Sequence, residues 1–230
     1  MNNYSRREAL SFGTSGLMSR VFAWQTAGLL LSTAVALFVA GTPALITMLF
    51  QNRLLFYGLI FAQLGAVIWL SAFAHKMSYG TMAGVYLGYA ALTGATLSTI
   101  FIVYTMSSIG MCFGIAAMMF GTMALYGYLT KADLSGFGSI MFMGLIGIVI
   151  ASLVNMFMRS ETTGYVISFL SVLIFTGLTA YDIQKIKNFA ASAYDDESMR
   201  KVSILGALTL YLDFLNIFLS LLHLLGGRRR

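Results

Sequence analysis

Seven apolar runs of about 20 residues or more follow one another along this 230-residue chain. Each is long enough to cross a ~30 Å hydrocarbon core as a helix. Backbone inside lipid must satisfy its own hydrogen bonds, which leaves helices or a closed barrel. A barrel needs short segments alternating apolar and polar residues, and that alternation is absent here. Hydrophobic residues make up 59% of the chain and charged residues only 10%, more apolar surface than a soluble domain of this size can enclose. The sequence therefore predicts an all-α polytopic membrane protein.

The predicted segments are about 21–41, 54–74, 79–104, 108–129, 137–158, 163–187 and 202–225. They form one transmembrane domain, 21–225, between a polar tail, 1–20, and a basic tail, 226–230. The first segment is longer than a signal-peptide core and follows a polar tail, so it reads as a retained helix. Breaks are short, the longest being the polar stretch from Asn188 to Lys201. Pro43, the only proline, reads as the turn ending the first helix.

The net charge of +6 sits mostly at segment ends, where it sets topology and carries no nucleic-acid signal. With the N-terminus inside, the inner side holds Arg6, Arg7, Arg20, Lys76, Lys131, Lys185, Lys187, Arg200 and Lys201, and the outer loops hold Arg53 and Arg159. The positive-inside rule thus predicts a cytoplasmic N-terminus. Arg228, Arg229 and Arg230 oppose it, since seven crossings put them outside; a re-entrant last segment is the alternative. Gly84-x-x-x-Gly88 and Gly110-x-x-x-Gly114 predict close helix packing within one chain, with a monomer favoured. The single cysteine, Cys112, reads as a small buried hydrophobe.

Of eight acidic residues, only Asp182, in LTAYDIQKIK, and Asp213, in LTLYLDFLNIF, lie within apolar segments. A carboxylate there is expensive and marks a functional site by default. Gln184, Lys185 and Lys187 place Asp182 near the inner boundary, and Asp213 lies about 16 Å along the seventh segment. If the two meet, they would share a proton and titrate as a unit. Doubly ionised, the pair would attract cations. Two carboxylates make a poor calcium cage, though waters, backbone carbonyls and Asn216 would add oxygens for weak, transient binding. His75, at the inner end of the second segment beside Lys76, titrates near neutral pH and is a gating candidate. Tyr194-Asp195-Asp196-Glu197 reads as a solvated loop.

Thr179-Ala180-Tyr181-Asp182-Ile183-Gln184-Lys185-Ile186-Lys187 and Gly206-Ala207-Leu208-Thr209-Leu210-Tyr211-Leu212-Asp213-Phe214-Leu215-Asn216 together resemble the signature of the Bax inhibitor-1 (TMBIM) family. Asp133-Leu134-Ser135-Gly136-Phe137-Gly138 and the basic C-terminus resemble its bacterial inner-membrane branch. The resemblance implies seven helices with the last surrounded by the others, and a pH-sensitive calcium leak controlled by an aspartate pair that maps onto Asp182 and Asp213. It implies no enzyme activity and no cofactor. In a bacterial member an arginine at the inner end of the second helix latches the sixth-helix aspartate; here His75 stands in that place, with Lys76 adjacent. Closure would then depend on His75 protonation or on Lys76.

Two other readings compete. Intramembrane aspartyl proteases also pair a Tyr-Asp with an Asp on the next helix, but Tyr211-Leu212 replaces the glycine pattern expected before Asp213, and Pro43-Ala44-Leu45 sits beside the first helix. Bacterial relatives are also linked to a membrane-bound ATP-dependent protease, as substrate or modulator, and the tail 1–20 is long enough for such a machine to grip.

Overall fold

A computed structural model describes the backbone of residues 3–192 and 196–229, and the side chains of 15–229 apart from 50, 53 and 190–195. Among the described residues the elements are α1 (Asn3–Ala40), α2 (Pro43–Gln51), α3 (Arg53–Phe73), a 3₁₀ turn (Ala74–Lys76), α4 (Tyr79–Leu97), the one-turn α5 (Ile100–Val103), α6 (Met106–Leu129), α7 (Ser135–Met158), α8 (Glu161–Ser192) and α9 (Asp196–Leu225). Seven stretches among the described residues are long and apolar enough to cross a membrane: Ser15–Ala40, Leu54–Lys76, Tyr79–Val103, Met106–Leu129, Ser135–Met158, Glu161–Phe189 and Asp196–Leu225.

These coincide with the predicted segments, with two differences of detail. Pro43 does not merely end a helix. Its missing N–H and fixed φ suit the first position of α2, after an extended Thr42. The stretch read as a long polar break is mostly helix, because Asp196–Arg200 and Glu197–Lys201 form i,i+4 ion pairs at 2.8 and 2.9 Å in the first turns of α9. Asp196 and Glu197 are thus helical, whereas Tyr194 and Asp195 lie outside the described residues.

The connections are fixed by side-chain caps. Asn52 accepts from Leu55 N, Ser78 from Thr81 N and Thr105 from Ser108 N, each satisfying a donor at a helix start. Arg159, in the left-handed region at φ 52°, ends α7; its N–H donates to Asn155 O at 2.7 Å, and Asn155 Oδ1 accepts from Ser160 N.

The chain forms two compact units. The first comprises Met1–Val103 and Phe189–Leu208. There α1 and α4 cross so closely that a methyl added at Gly94 would lie 2.5 Å from Ser32 O, while Ser32 Oγ donates to Ala90 O at 2.7 Å. The second comprises Tyr104–Asn188 and Thr209–Arg230. Its α6 presents Cys112, Ala116, Phe120, Ala124 and Gly127 as a buried, mostly small-residue stripe. Cys112 is fully buried, as expected, with its thiol near Leu221 O.

The Gly84/Gly88 and Gly110/Gly114 pairs do not make the close packing predicted from their spacing. A methyl at any of the four meets nothing within 4 Å, and Gly84, Gly88 and Gly110 are exposed. Spacing creates a smooth face, but the turning of the helix decides whether a neighbour covers it. In α4 the buried face is instead Met82, Tyr86, Tyr89, Ala90 and Thr93.

The last helix is the most enclosed, with 67% of its most apolar window buried against 6% for the α3 and α7 spans. It is continuous to Leu225. Its end lies with α6's start: Gly227 N donates to Ser108 Oγ at 2.9 Å, and Thr105 N donates to Gly227 O at 3.1 Å. The last span is thus a single unbroken helix.

Candidate functional site

The carboxyl pair is built by α8 and α9 within the second unit. Two glycines let neighbouring helices press on α8 just before Asp182. Gly127 of α6 lies against the Ala180 backbone, where an added methyl would contact the Ala180 carbonyl and lie 2.9 Å from its Cα. Gly138 of α7 lies under the Tyr181 ring, with no room for a Cβ. Two residues beyond Asp182, Gln184 clamps the connection between α6 and α7. Its Oε1 accepts from Leu134 N at 2.9 Å and its Nε2 donates to Ala132 O at 2.8 Å. Lys187 Nζ donates to Tyr128 O at 2.7 Å and lies over the Tyr128 ring. Asp133-Leu134-Ser135-Gly136-Phe137-Gly138 and Tyr181-Asp182-Ile183-Gln184, far apart in sequence, therefore dock on each other.

Gln184 is buried with both ends of its amide engaged. Gln184→Ala would orphan a buried N–H, and is expected to cost about 2 kcal/mol. A lowered thermal midpoint in detergent checks it; an unchanged midpoint would show that the clamp is not needed.

On this scaffold the Asp182 and Asp213 carboxyls come within hydrogen-bonding reach of each other. Two carboxyls can bond in this way only if at least one proton is shared between them. Asp213 is 4% exposed, and its Oδ2 has no hydrogen-bond partner among the described residues. Phe214, the next residue in α9, packs edge-on against Phe113 at 5.2 Å and Phe120 at 5.8 Å. Asp182 is half-buried, and Lys185 lies 5.9 Å over the Tyr181 ring. The two aspartates proposed from sequence are thus brought together, one sealed and one partly accessible.

The other predicted residues are placed as follows. Asn216 does not turn its amide nitrogen to the pair; Nδ2 donates to Leu212 O, one turn back in α9. His75 and Lys76 occupy the 3₁₀ turn after α3, in the first unit, and both are exposed, with Lys76 5.9 Å over the Phe73 ring. Among the described residues no three His, Cys, Asp or Glu side chains gather to hold a metal ion. Asp133, outside the spans, accepts from Ser135 N at 2.9 Å. The Ser135 hydroxyl and N–H hold its carboxyl below the usual range. It therefore stays ionised at neutral pH and is no candidate for a response there.

At the C-terminal end of α9 the sequence reads His223 as an interfacial residue, and its partners there were not foreseen. His223 Nδ1 lies 2.8 Å from Ser168 Oγ, and its ring stacks on Tyr165 at 5.3 Å. Gly164 leaves room for the ring, 3.3 Å from where its Cβ would stand. The histidine's place on an apolar helix was visible, but its partners lie 55 residues or more away.

The chain matches the family described as inhibitor of apoptosis-promoting Bax1 over residues 14–230. It is 50% identical to the inner membrane protein YbhL of Escherichia coli over the full length of both chains. It is also 44% identical to an uncharacterised protein of Borreliella burgdorferi, covering 92% of each, and 38% identical to one of Rickettsia prowazekii, covering 98% of this chain and 95% of the other. This chain is a member of the Bax inhibitor-1 family of helical membrane proteins.

Proposed function

We propose that this protein is a non-catalytic, pH-sensitive cation leak in a bacterial inner membrane, with calcium as the conducted ion and the Asp182–Asp213 pair as its control point. The observation that carries the reading is a carboxyl pair brought within hydrogen-bonding reach, with one unpartnered buried oxygen, in an otherwise apolar bundle. A structural aspartate would be expected to satisfy both oxygens. A cation entering the pair displaces the shared proton, so ion occupancy and pH are linked. With only two carboxylates the site is weak, which suits conduction, since an ion must also leave. The shares of Lys and Arg support a cytoplasmic N-terminus. Arg228, which runs against that bias, lies 4.0 Å from Glu161.

The test is calcium flux into proteoliposomes from about pH 5 to 8, comparing the wild type with Asp182→Asn and Asp213→Asn. The wild type is expected to conduct in a pH-dependent way, and either substitution to flatten the profile. No flux above empty liposomes from folded protein would overturn the leak. It would favour the role of partner to a membrane-bound ATP-dependent protease acting through the tail 1–20.

His75 and Lys76, in an exposed turn, enter the same proposal as gating candidates. A histidine stands where the resemblance leads one to expect an arginine, and histidine is the side chain suited to switching near neutral pH. His75→Ala is expected to change the shape of the pH profile while leaving maximal flux in place. An unchanged profile would remove the histidine from the mechanism and leave Lys76.

A further inference from the structure

Beside the start of the apolar part of α1, the first unit carries a cleft of about 390 Å³ lined by Arg20, Ala23, Trp24, Ala27, Tyr79 and Arg200. One end holds two guanidiniums; the wall is two aromatic rings and two small side chains. Arg20 Nη1 donates to Asp196 Oδ1 and Arg200 Nε donates to Asp196 Oδ2, both at 2.8 Å. The Arg200 guanidinium lies 6.0 Å from the Tyr79 ring centre. Trp24 meets Tyr79 edge-on at 6.3 Å and the buried Tyr86 at 6.1 Å, and Tyr86 Oη donates to Trp24 O at 3.0 Å. The wall is therefore anchored to the core of its unit.

The charges leave a surplus. Two guanidiniums share one carboxylate, so the triad carries a net positive charge. Each guanidinium has five N–H donors, and the Asp196 bond occupies one. Planar donor forks of this kind suit a phosphate better than a second carboxylate that would have to be brought in by the chain. The depth is also defined. Arg20 immediately precedes the apolar run from Val21, and Arg200 and Lys201 precede the run from Val202. This is the headgroup level, where tryptophan and tyrosine concentrate.

We propose that this cleft binds the phosphodiester headgroup of an anionic phospholipid. Arg20 and Arg200 take the phosphate, Asp196 holds the two arginines in register, and Trp24, Ala23 and Ala27 border the glycerol and upper acyl chain. A dissolved phosphate would gain nothing from that apolar wall, whereas a lipid buries it.

The chain has two tryptophans, so Trp69→Phe leaves Trp24 as the only reporter. Trp69 is exposed on α3, and its replacement leaves the cleft untouched. The variant is reconstituted in phosphatidylcholine vesicles containing either brominated phosphatidylglycerol or, at equal mole fraction, brominated phosphatidylcholine. Brominated phosphatidylglycerol is expected to quench Trp24 several-fold more strongly. Adding Arg20→Gln and Arg200→Gln is expected to make the two lipids equal. Should that variant fail to fold by circular dichroism, Arg20→Lys with Arg200→Lys keeps the charge, loses the fork, and is expected to reduce the preference. Equal quenching before the arginines are changed would overturn the proposal. So would a preference that survives the glutamine variant, or survives undiminished in a folded lysine variant. Loss of the preference on adding inorganic phosphate at constant ionic strength would identify free phosphate as the ligand and overturn the lipid assignment.

Discussion

Gly127→Val is expected to destabilise the protein by about 3 kcal/mol or more, and to disturb the carboxyl pair. The added side chain has nowhere to go. Its Cβ would overlap the Ala180 carbonyl, and backbone atoms cannot swing aside as the tip of a long side chain can. Relief requires α6 and α8 to separate, and Asp182 lies only two residues beyond the contact. The control is Gly121→Val, on the same helix, where an added Cβ meets nothing within 4 Å. Gly114→Ala is a second control, and should be neutral or stabilising by up to about 1 kcal/mol, because alanine favours helix over glycine. Thermal midpoints in one detergent compare all three. A Gly127→Val midpoint as high as that of Gly121→Val would show that the α6–α8 contact is looser than described.

Asp213→Leu is expected to abolish pH-dependent flux and yet to leave the protein as stable as before, or more stable by about 1–3 kcal/mol. Asp213 is buried with an unpartnered Oδ2, and such an atom loses hydration without recovering a hydrogen bond. Leucine removes that cost and keeps the γ-branched shape, though it is the larger side chain. The partner, Asp182, is half-buried and keeps some access to its surroundings. Stability gained with function lost is the mark of a site kept for activity. A strongly lowered midpoint would instead make Asp213 a structural residue.

The spans were legible because bilayer thickness sets a length that composition reports directly. The pair was legible because an ionisable group in an apolar helix is rare enough to stand out. The glycine contacts were not. Gly84, Gly88, Gly110 and Gly114 have the packing spacing but meet no close neighbour, whereas Gly94, Gly127 and Gly138 carry the close approaches without it. A small-residue stripe, Cys112-Ala116 with Ala124 and Gly127, was the available signal in α6. The start of α9 was misread because its charges suggested a loop. Their order, acid first and base four residues on, stabilises a helix start. The Gln184 clamp was beyond sequence reading, since its two backbone partners lie 50 and 52 residues away.

The most direct test of the account is a double-substitution cycle on calcium flux in proteoliposomes, read from about pH 5 to 8. It compares the wild type, Asp182→Asn, Asp213→Asn and the protein carrying both. A pair that titrates as one unit predicts that either single change removes the pH dependence as completely as the double. Single effects that add in the double, or a pH dependence that persists when both carboxyls are gone, would contradict it.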